Sequence, residues 1–303
     1  MNQLKVCSYN LENFYLGLEK YSNEEFNTID EVDWQRMSVS MIQKNKPLFK
    51  IQGIAKAILE INADVYCLQE VMSYKSLKNL NQYFLNDQYN VVVEESNSNR
   101  SIYVGFLIRK GIEFETESHS RQRLSSGQWM SRNLTSITIK NNTGEKKVTI
   151  LGVHLKSKRM DDVGTNTYNI RELEVGLISN VQEKLKFKHE VPLIIMGDMN
   201  ANFNLEPEFH HLKKAGYFDF LLEKHQSDYP SKGTFSTSYL ETKVQHLDFI
   251  LVESKYLKKL DMSECGIYYY TNEYGDKISL PYEKIERPYL PSDHCPIFSV
   301  LKF

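Results

Sequence analysis

Pro192-Leu193-Ile194-Ile195-Met196-Gly197-Asp198-Met199-Asn200 is the stretch of this 303-residue chain on which the fold turns. Four apolar residues between a proline and a glycine are too few for a helix and read as a strand buried on both faces. Gly197 allows the backbone to turn sharply as it leaves that strand. Asp198 and Asn200 then stand close together on the rim. An aspartate there can take a proton from water, and an asparagine amide can hold a phosphoryl oxygen. The same pattern also suits a turn that only caps the strand.

Three other apolar runs end in the same way. Ala63–Glu70 reads ADVYCLQE, Val148–His154 reads VTILGVH, and the C-terminal strand is introduced by Ser292-Asp293-His294. Strands that carry polar groups at their ends deliver them to one rim of a sheet. Asn10, Glu70, Asp198, Asn200 and Asp293 are all oxygen donors, a set suited to Mg²⁺ or Mn²⁺ rather than zinc. Alternation along Val153-His154-Leu155-Lys156 predicts that His154 and Lys156 share a face and favour an anion. Asp248 and His294 could pair so that the carboxylate orients the imidazole, or could be a buried structural pair. The histidines at 119, 189, 210, 211, 225 and 246 lack such settings and read as surface or packing residues.

Around these endings the pattern is mixed. Val6–Asn10 reads as a first strand. Ile51, Ile54, Ala55, Ile58 and Leu59 follow helical spacing after Pro47, and Ser73 opens a helix to about Phe84. Strands are predicted over 91–93, 103–108, 134–140 and 147–153, the last two joined at Asn141-Asn142-Thr143-Gly144. A helix over 167–187 precedes the 192–196 strand, and further strands follow at 247–252, 267–270 and 296–302. Such interleaving without a regular βαβ beat argues for mixed, mainly antiparallel sheets packed face to face with helices outside.

The composition is 41% hydrophobic, 25% charged and 12% aromatic, which excludes disorder and suits one domain over 1–303. The net charge of −2 excludes a protein that coats nucleic acid indiscriminately. Four cysteines without a CxxC pair point to a reducing compartment, and no apolar run reaches the length of a membrane span. A cytoplasmic protein is expected.

The motifs SYNLENF (8–14), CLQEV (67–71), GVHLKSKR (152–159), GDMNAN (197–202), HLDFILV (246–252) and SDHCPI (292–297) resemble, in order, those of the endonuclease/exonuclease/phosphatase superfamily. The resemblance implies a four-layered α/β/β/α sandwich with its site at one end. It implies Glu70 as the principal metal ligand with Asn10 and Asp293 nearby, and Asp198 as the water-activating acid with Asn200 as its phosphate-orienting partner. His154 would contact phosphate, His294 would be a second catalytic histidine oriented by Asp248, and Arg132 would lie near the phosphate. The HLKSK form is similar to a bacterial nuclease-type branch. A nuclease acting on DNA or RNA is the expected activity. The alternatives are hydrolysis of a small phosphate ester or lipid head group, and a non-catalytic binding module. Ser118–Arg132 carries Arg121, Arg123, Trp129 and Arg132 without an acid, and could grip a nucleic acid locally or be a solvated loop.

Overall fold

Two six-stranded sheets lie face to face between helices, in a computed structural model that describes residues 2–18, 26, 29–40, 42–94, 98, 101–157, 167–236, 243–272, 274–278, 280 and 286–303. In chain order come β1 (Gln3–Phe14), α1 (Glu31–Arg36), α2 (Leu48–Ile61), β2 (Val65–Val71), α3 (Tyr74–Phe84), β3 (Tyr89–Val93) and β4 (Tyr103–Arg109). Then follow β5 (Glu113–Ser118), β6 (Thr135–Lys140), β7 (Lys146–His154), α4 (Thr167–His189) and β8 (Leu193–Asp198). The last part holds α5 (His210–Lys214), β9 (Tyr217–Asp219), α6 (Phe220–His225), β10 (Phe235–Ser236), β11 (Val244–Gln245), β12 (Asp248–Glu253), β13 (Gly266–Ile267) and β14 (Ile297–Lys302).

The first sheet has the order β13-β14-β1-β2-β4-β3, the second β5-β6-β7-β8-β12-β9, and β10-β11 is a short separate ribbon. The pairs β1–β2 and β7–β8 are parallel, and the remaining pairs are antiparallel. This is the expected sandwich of mixed, mainly antiparallel sheets.

Strand alternation explains the layers. On β8, Ile194 and Met196 join the core between the sheets, whereas Leu193 and Ile195 face α4 with Val175, Ile178 and Val181. On β2, Val65 and Cys67 face inward, whereas Tyr66 and Leu68 pack with Ile51, Ile54 and Ile58 of α2. Both faces of these central strands are apolar because both are covered. The helix signals behave as read. Pro47 is the N-cap of α2, and the Ser73 hydroxyl accepts from the Ser76 N–H at 2.9 Å.

Alternation missed β5, because Glu113, Glu115 and Glu117 make it a polar edge strand. Charged side chains on an edge discourage pairing with another chain. The two-residue strands β10 and β11 were also unpredicted, being too short for any periodic signal. Lys158 and Arg159 of the GVHLKSKR motif, and residues 237–242, lie outside the described residues. No helix among the described residues is long and apolar enough to cross a membrane.

The close approach of β7 and β8 leaves no room at Gly197, whose φ is +149° and where an added Cβ would lie 1.9 Å from the Val153 carbonyl oxygen. Gly197→Ala is therefore expected to destabilise the fold by about 3 kcal/mol or more, measured by urea denaturation. A change below about 1 kcal/mol would mean that the two strands part easily.

Candidate active site

The inward-facing rows of the sandwich are apolar in the middle and polar at one end. Ile150 and Gly152 lead to His154, Ile194 and Met196 lead to Asp198, and Val252 and Ile250 lead to Asp248. Register then aligns those endings, because His154 pairs with Asp198 across β7–β8 and Asp198 pairs with Asp248 across β8–β12. From the opposite sheet, Val6 and Ser8 lead to Asn10 on β1. The polar groups thus line the mouth of the core between the two sheets.

Asp198 is the hub. Its Oδ2 accepts from Asn10 Nδ2 at 2.9 Å and Asn200 Nδ2 at 3.2 Å, and its Oδ1 accepts from the Asn200 N–H at 2.8 Å. His154 Nε2 lies 3.6 Å and His294 Nε2 4.0 Å from the same carboxylate. Burial pushes the Asp198 carboxyl up to about 7, against the pull of the nearby His294 and with the help of the Asp248 charge. A carboxyl titrating near neutrality is well matched to proton transfer.

His294 Nδ1 donates to Asp248 Oδ2 at 2.8 Å. Burial works against a charge on this ring, but Asp248, Asp198 and Asp293 together hold its pKa well above the ordinary value. These acids favour the imidazolium form of the ring, which faces the Asp198 carboxyl. Phe235 packs against the ring with centroids 4.7 Å apart. Thr234, fully buried, accepts the Asp248 N–H on its hydroxyl at 3.2 Å and the Cys295 N–H on its carbonyl at 2.7 Å, fixing both segments that carry the pair.

A cleft of about 1120 Å³ opens over this group, and Glu70, Arg132, His154, Asp198, Asn200, Asp293 and His294 are among its walls. Asn10 and Asp248 stand behind that wall and orient its members. Glu70 is half-buried, and its Oε2 accepts from the Asn13 N–H at 2.8 Å. Asp293 Oδ2 receives Arg287 Nη2 at 2.6 Å. The amide of Asn200 is directed at Asp198 and at the Leu155 carbonyl, 3.0 Å away, so it positions the acid. Lys156 is not among the cleft-lining residues. The strand ends at His154, the alternation breaks there, and Ser157 reaches the cleft instead.

Asp198, Asp248 and His294 offer ligand atoms that all lie within 4.8 Å of one another, a group able to hold a metal ion. Asp248 Oδ1 is buried with no hydrogen-bond partner among the described residues, which fits a cation at this site. Glu70 and Asp293 line the same cleft and carry carboxylate oxygens, the donor type that a hard divalent ion takes.

Several positioning residues carry no motif signal. Glu174 of α4 is fully buried, and its two carboxylate oxygens accept the Ser131 and Lys156 N–H groups, each at 2.8 Å. It thereby ties the Arg132 loop to the end of the His154 strand. Arg171, one turn earlier, pairs with Glu208 at 2.6 Å in a fully enclosed bridge. Polar residues three apart inside an amphipathic helix were the available signal. His246, read as packing, lines the cleft and stacks on Tyr229 with centroids 4.0 Å apart.

No curated protein sequence matches the chain significantly. Solved structures do. A Danio rerio TDP2 complexed with a single-strand DNA product matches with a TM-score of 0.60 at 15% identity, over 99% of each chain. The human Nocturnin catalytic domain with a bound sulfate matches with a TM-score of 0.64 at 15% identity, over 99% of this chain and 95% of that one. A mannosyl-6-phosphatase from Bacteroides thetaiotaomicron matches with a TM-score of 0.58 at 17% identity, over 99% of this chain and 100% of that one. At these identities the likeness is one of fold. In sequence, the Endonuclease/Exonuclease/phosphatase family matches residues 7–294, and this chain belongs to that family of metal-dependent phosphoester hydrolases.

Proposed function

We propose that the chain is a Mg²⁺- or Mn²⁺-dependent phosphodiesterase that hydrolyses nucleic acid, residues 1–303 acting as one catalytic domain. The carrying observation is Asp198, a buried carboxyl poised near neutral pKa, held by two amides and faced by two imidazoles. Asp198 takes a proton from water, which attacks phosphorus in line with the leaving oxygen. The His294 imidazolium and His154 donate to nonbridging oxygens as charge builds there, with Arg132 on the same cleft wall. Asp248 keeps the His294 ring oriented and charged, while Asn10 and Asn200 hold the Asp198 carboxylate in place.

Glu70, with Asn10 and Asp293, would hold the divalent ion, which offsets charge on the phosphoryl group and leaving oxygen. Four buried cysteines that form no disulfide support a reducing, cytoplasmic setting.

Two observations support a nucleic-acid substrate. A solved structure of the same fold carries a single-strand DNA product. In addition, Trp129 is 43% exposed beside the Arg132 loop, with the Arg123 guanidinium 4.2 Å from its ring centroid. That pair offers a stacking platform with a positive charge, and Lys156 adds a cation near the same loop. A second reading, hydrolysis of a small phosphate ester, is favoured by the net charge of −2 and by the fold shared with a mannosyl-6-phosphatase.

The deciding assay sets plasmid, single-stranded DNA, RNA, bis-p-nitrophenyl phosphate and sugar phosphates against a series of divalent metals. Cleavage of a nucleic acid is expected; turnover confined to phosphomonoesters would move the assignment to the second reading. Asp198→Ala is expected to lower kcat by a factor of about a hundred or more, as loss of a proton-transfer group does. Near-wild-type turnover in that variant would remove Asp198 from the role of base. Glu70→Ala is expected to raise the metal concentration for half-maximal activity by about tenfold or more. An unchanged metal titration would take Glu70 off the ligand set.

A further inference from the structure

Beside the Glu70 wall of the cleft, two lysines share one carboxylate. Glu12 Oε2 receives Lys46 Nζ at 3.0 Å and Lys50 Nζ at 3.1 Å. Lys46 Nζ also donates to the Glu12 carbonyl at 2.7 Å. The two lysines are only 7% and 8% exposed. Glu12 Oε2 thus accepts from both ammonium groups, so two buried positive charges meet one carboxylate. Burying an ammonium costs several kcal/mol unless an anion compensates it.

The location says where that anion comes from. Lys50, Glu12, Asn13 and Glu70 all line the same cleft. Lys50 lies in the first turn of α2, a 14-residue helix whose N-cap Pro47 makes no side-chain cap and whose first turn holds no acid. The positive end of the helix therefore adds to the ammonium instead of cancelling it. Contacts from Asp198 to Lys50 run through Asn10, which donates to Asp198 and accepts the Glu12 N–H at 2.9 Å, and then through Glu12 itself. The ammonium is thus linked to the hydrolytic carboxylate through two intervening residues and lines the same cleft.

We propose that Lys50, on the α2 N-terminus, is a subsite for a second phosphate group of the substrate, adjacent to the phosphate that is cleaved. The inference deepens the phosphoester-hydrolase reading and rests on it for the position of the cleaved group. The substrate class it names carries two neighbouring phosphates, as a nucleotide chain does at every step. Glu12 is the competing anion that holds the subsite when no substrate is there.

The test uses p-nitrophenyl esters of thymidine 5′-phosphate with and without a 3′-phosphate, and of thymidine 3′-phosphate with and without a 5′-phosphate. In the intact protein with Mg²⁺ or Mn²⁺, the extra phosphate in at least one pair should lower KM by about tenfold or more. Lys50→Met should bring that ratio close to one, and Lys50→Arg should keep most of it. In parallel, thymidine 3′,5′-bisphosphate and the two monophosphates are titrated by calorimetry into protein freed of metal with a chelator. The bisphosphate should bind about tenfold more tightly than either monophosphate, and Lys50→Met should abolish the difference.

Should Lys50→Met fail to fold, Glu12→Gln supplies the opposite sign: with the competing carboxylate removed, bisphosphate affinity should rise. Equal handling of mono- and bisphosphates by the wild-type protein overturns the proposal. So does a preference that survives Lys50→Met, or a bisphosphate affinity that Glu12→Gln leaves unchanged or weakens. Absence of turnover on every ester, with Lys50-dependent bisphosphate binding intact, would instead count against the hydrolase reading and leave the subsite standing.

Discussion

The register between β7, β8 and β12 is the constraint on which the site depends. A strand's side chains alternate with a period of two, so a slip of one residue in either pairing would turn His154 or Asp248 away from Asp198. The register is fixed by the apolar rows below it, where Ile150, Ile194, Met196, Ile250 and Val252 interlock with Val6, Val65 and Phe106 of the other sheet. Each such side chain contributes about 1.5–3 kcal/mol on burial. A slip would expose several together, far more than one misplaced carboxylate could offset. Packing in the middle of the sandwich thereby sets geometry at its mouth.

That placement also determines the electrostatics. Carboxylates at the mouth of a buried core are desolvated, which raises the Asp198 pKa, and they sit close enough to hold a proton on His294 between them. An isolated surface aspartate would have neither property. Three acids around one imidazolium leave the group anionic overall, a state that invites a divalent ion. Arg287 on Asp293 answers part of that charge from the protein itself.

Much of this was legible because motifs at strand ends carry two signals at once. A short apolar run names the strand, and the acid, amide or imidazole that ends it names the rim. The stretch from Leu193 to Asn200 was readable for that reason, and so were CLQEV and SDHCPI. The pairing of Asp248 with His294 was left open between two readings, since 46 positions separate them and only the fold brings them to 2.8 Å. Glu174 and Arg171 were hard to read because their spacing of three is a weak mark in a helix where many charged residues face solvent. Lys50 was hidden for a related reason. In a helix read by its apolar stripe, a lysine is assigned to solvent, whereas here its carbon stem follows the stripe to a counter-ion on another strand. The strand stops at His154, so alternation says nothing about the face of Lys156.

The two sheets divide the chemistry in a way that follows from their backbones. β7, β8 and β12 end cleanly, so regular pairing delivers His154, Asp198 and Asp248 in one row. β1 and β2 do not. Glu12, Asn13 and Glu70 all have φ between +49° and +60°, and the pairing shifts between Asn10 and Phe14. A left-handed conformation costs about 1–2 kcal/mol at each such residue. The bulge is held by Lys46 on the Glu12 carbonyl and by the Asn13 N–H on Glu70. A regular strand would send Glu12 and Asn13 to opposite faces of the sheet. The bulge brings both to the cleft with Glu70, assembling on the first sheet a wall of carboxylate oxygens and an ammonium. One sheet supplies alignment for proton transfer, and the other spends backbone strain to gather charge for binding.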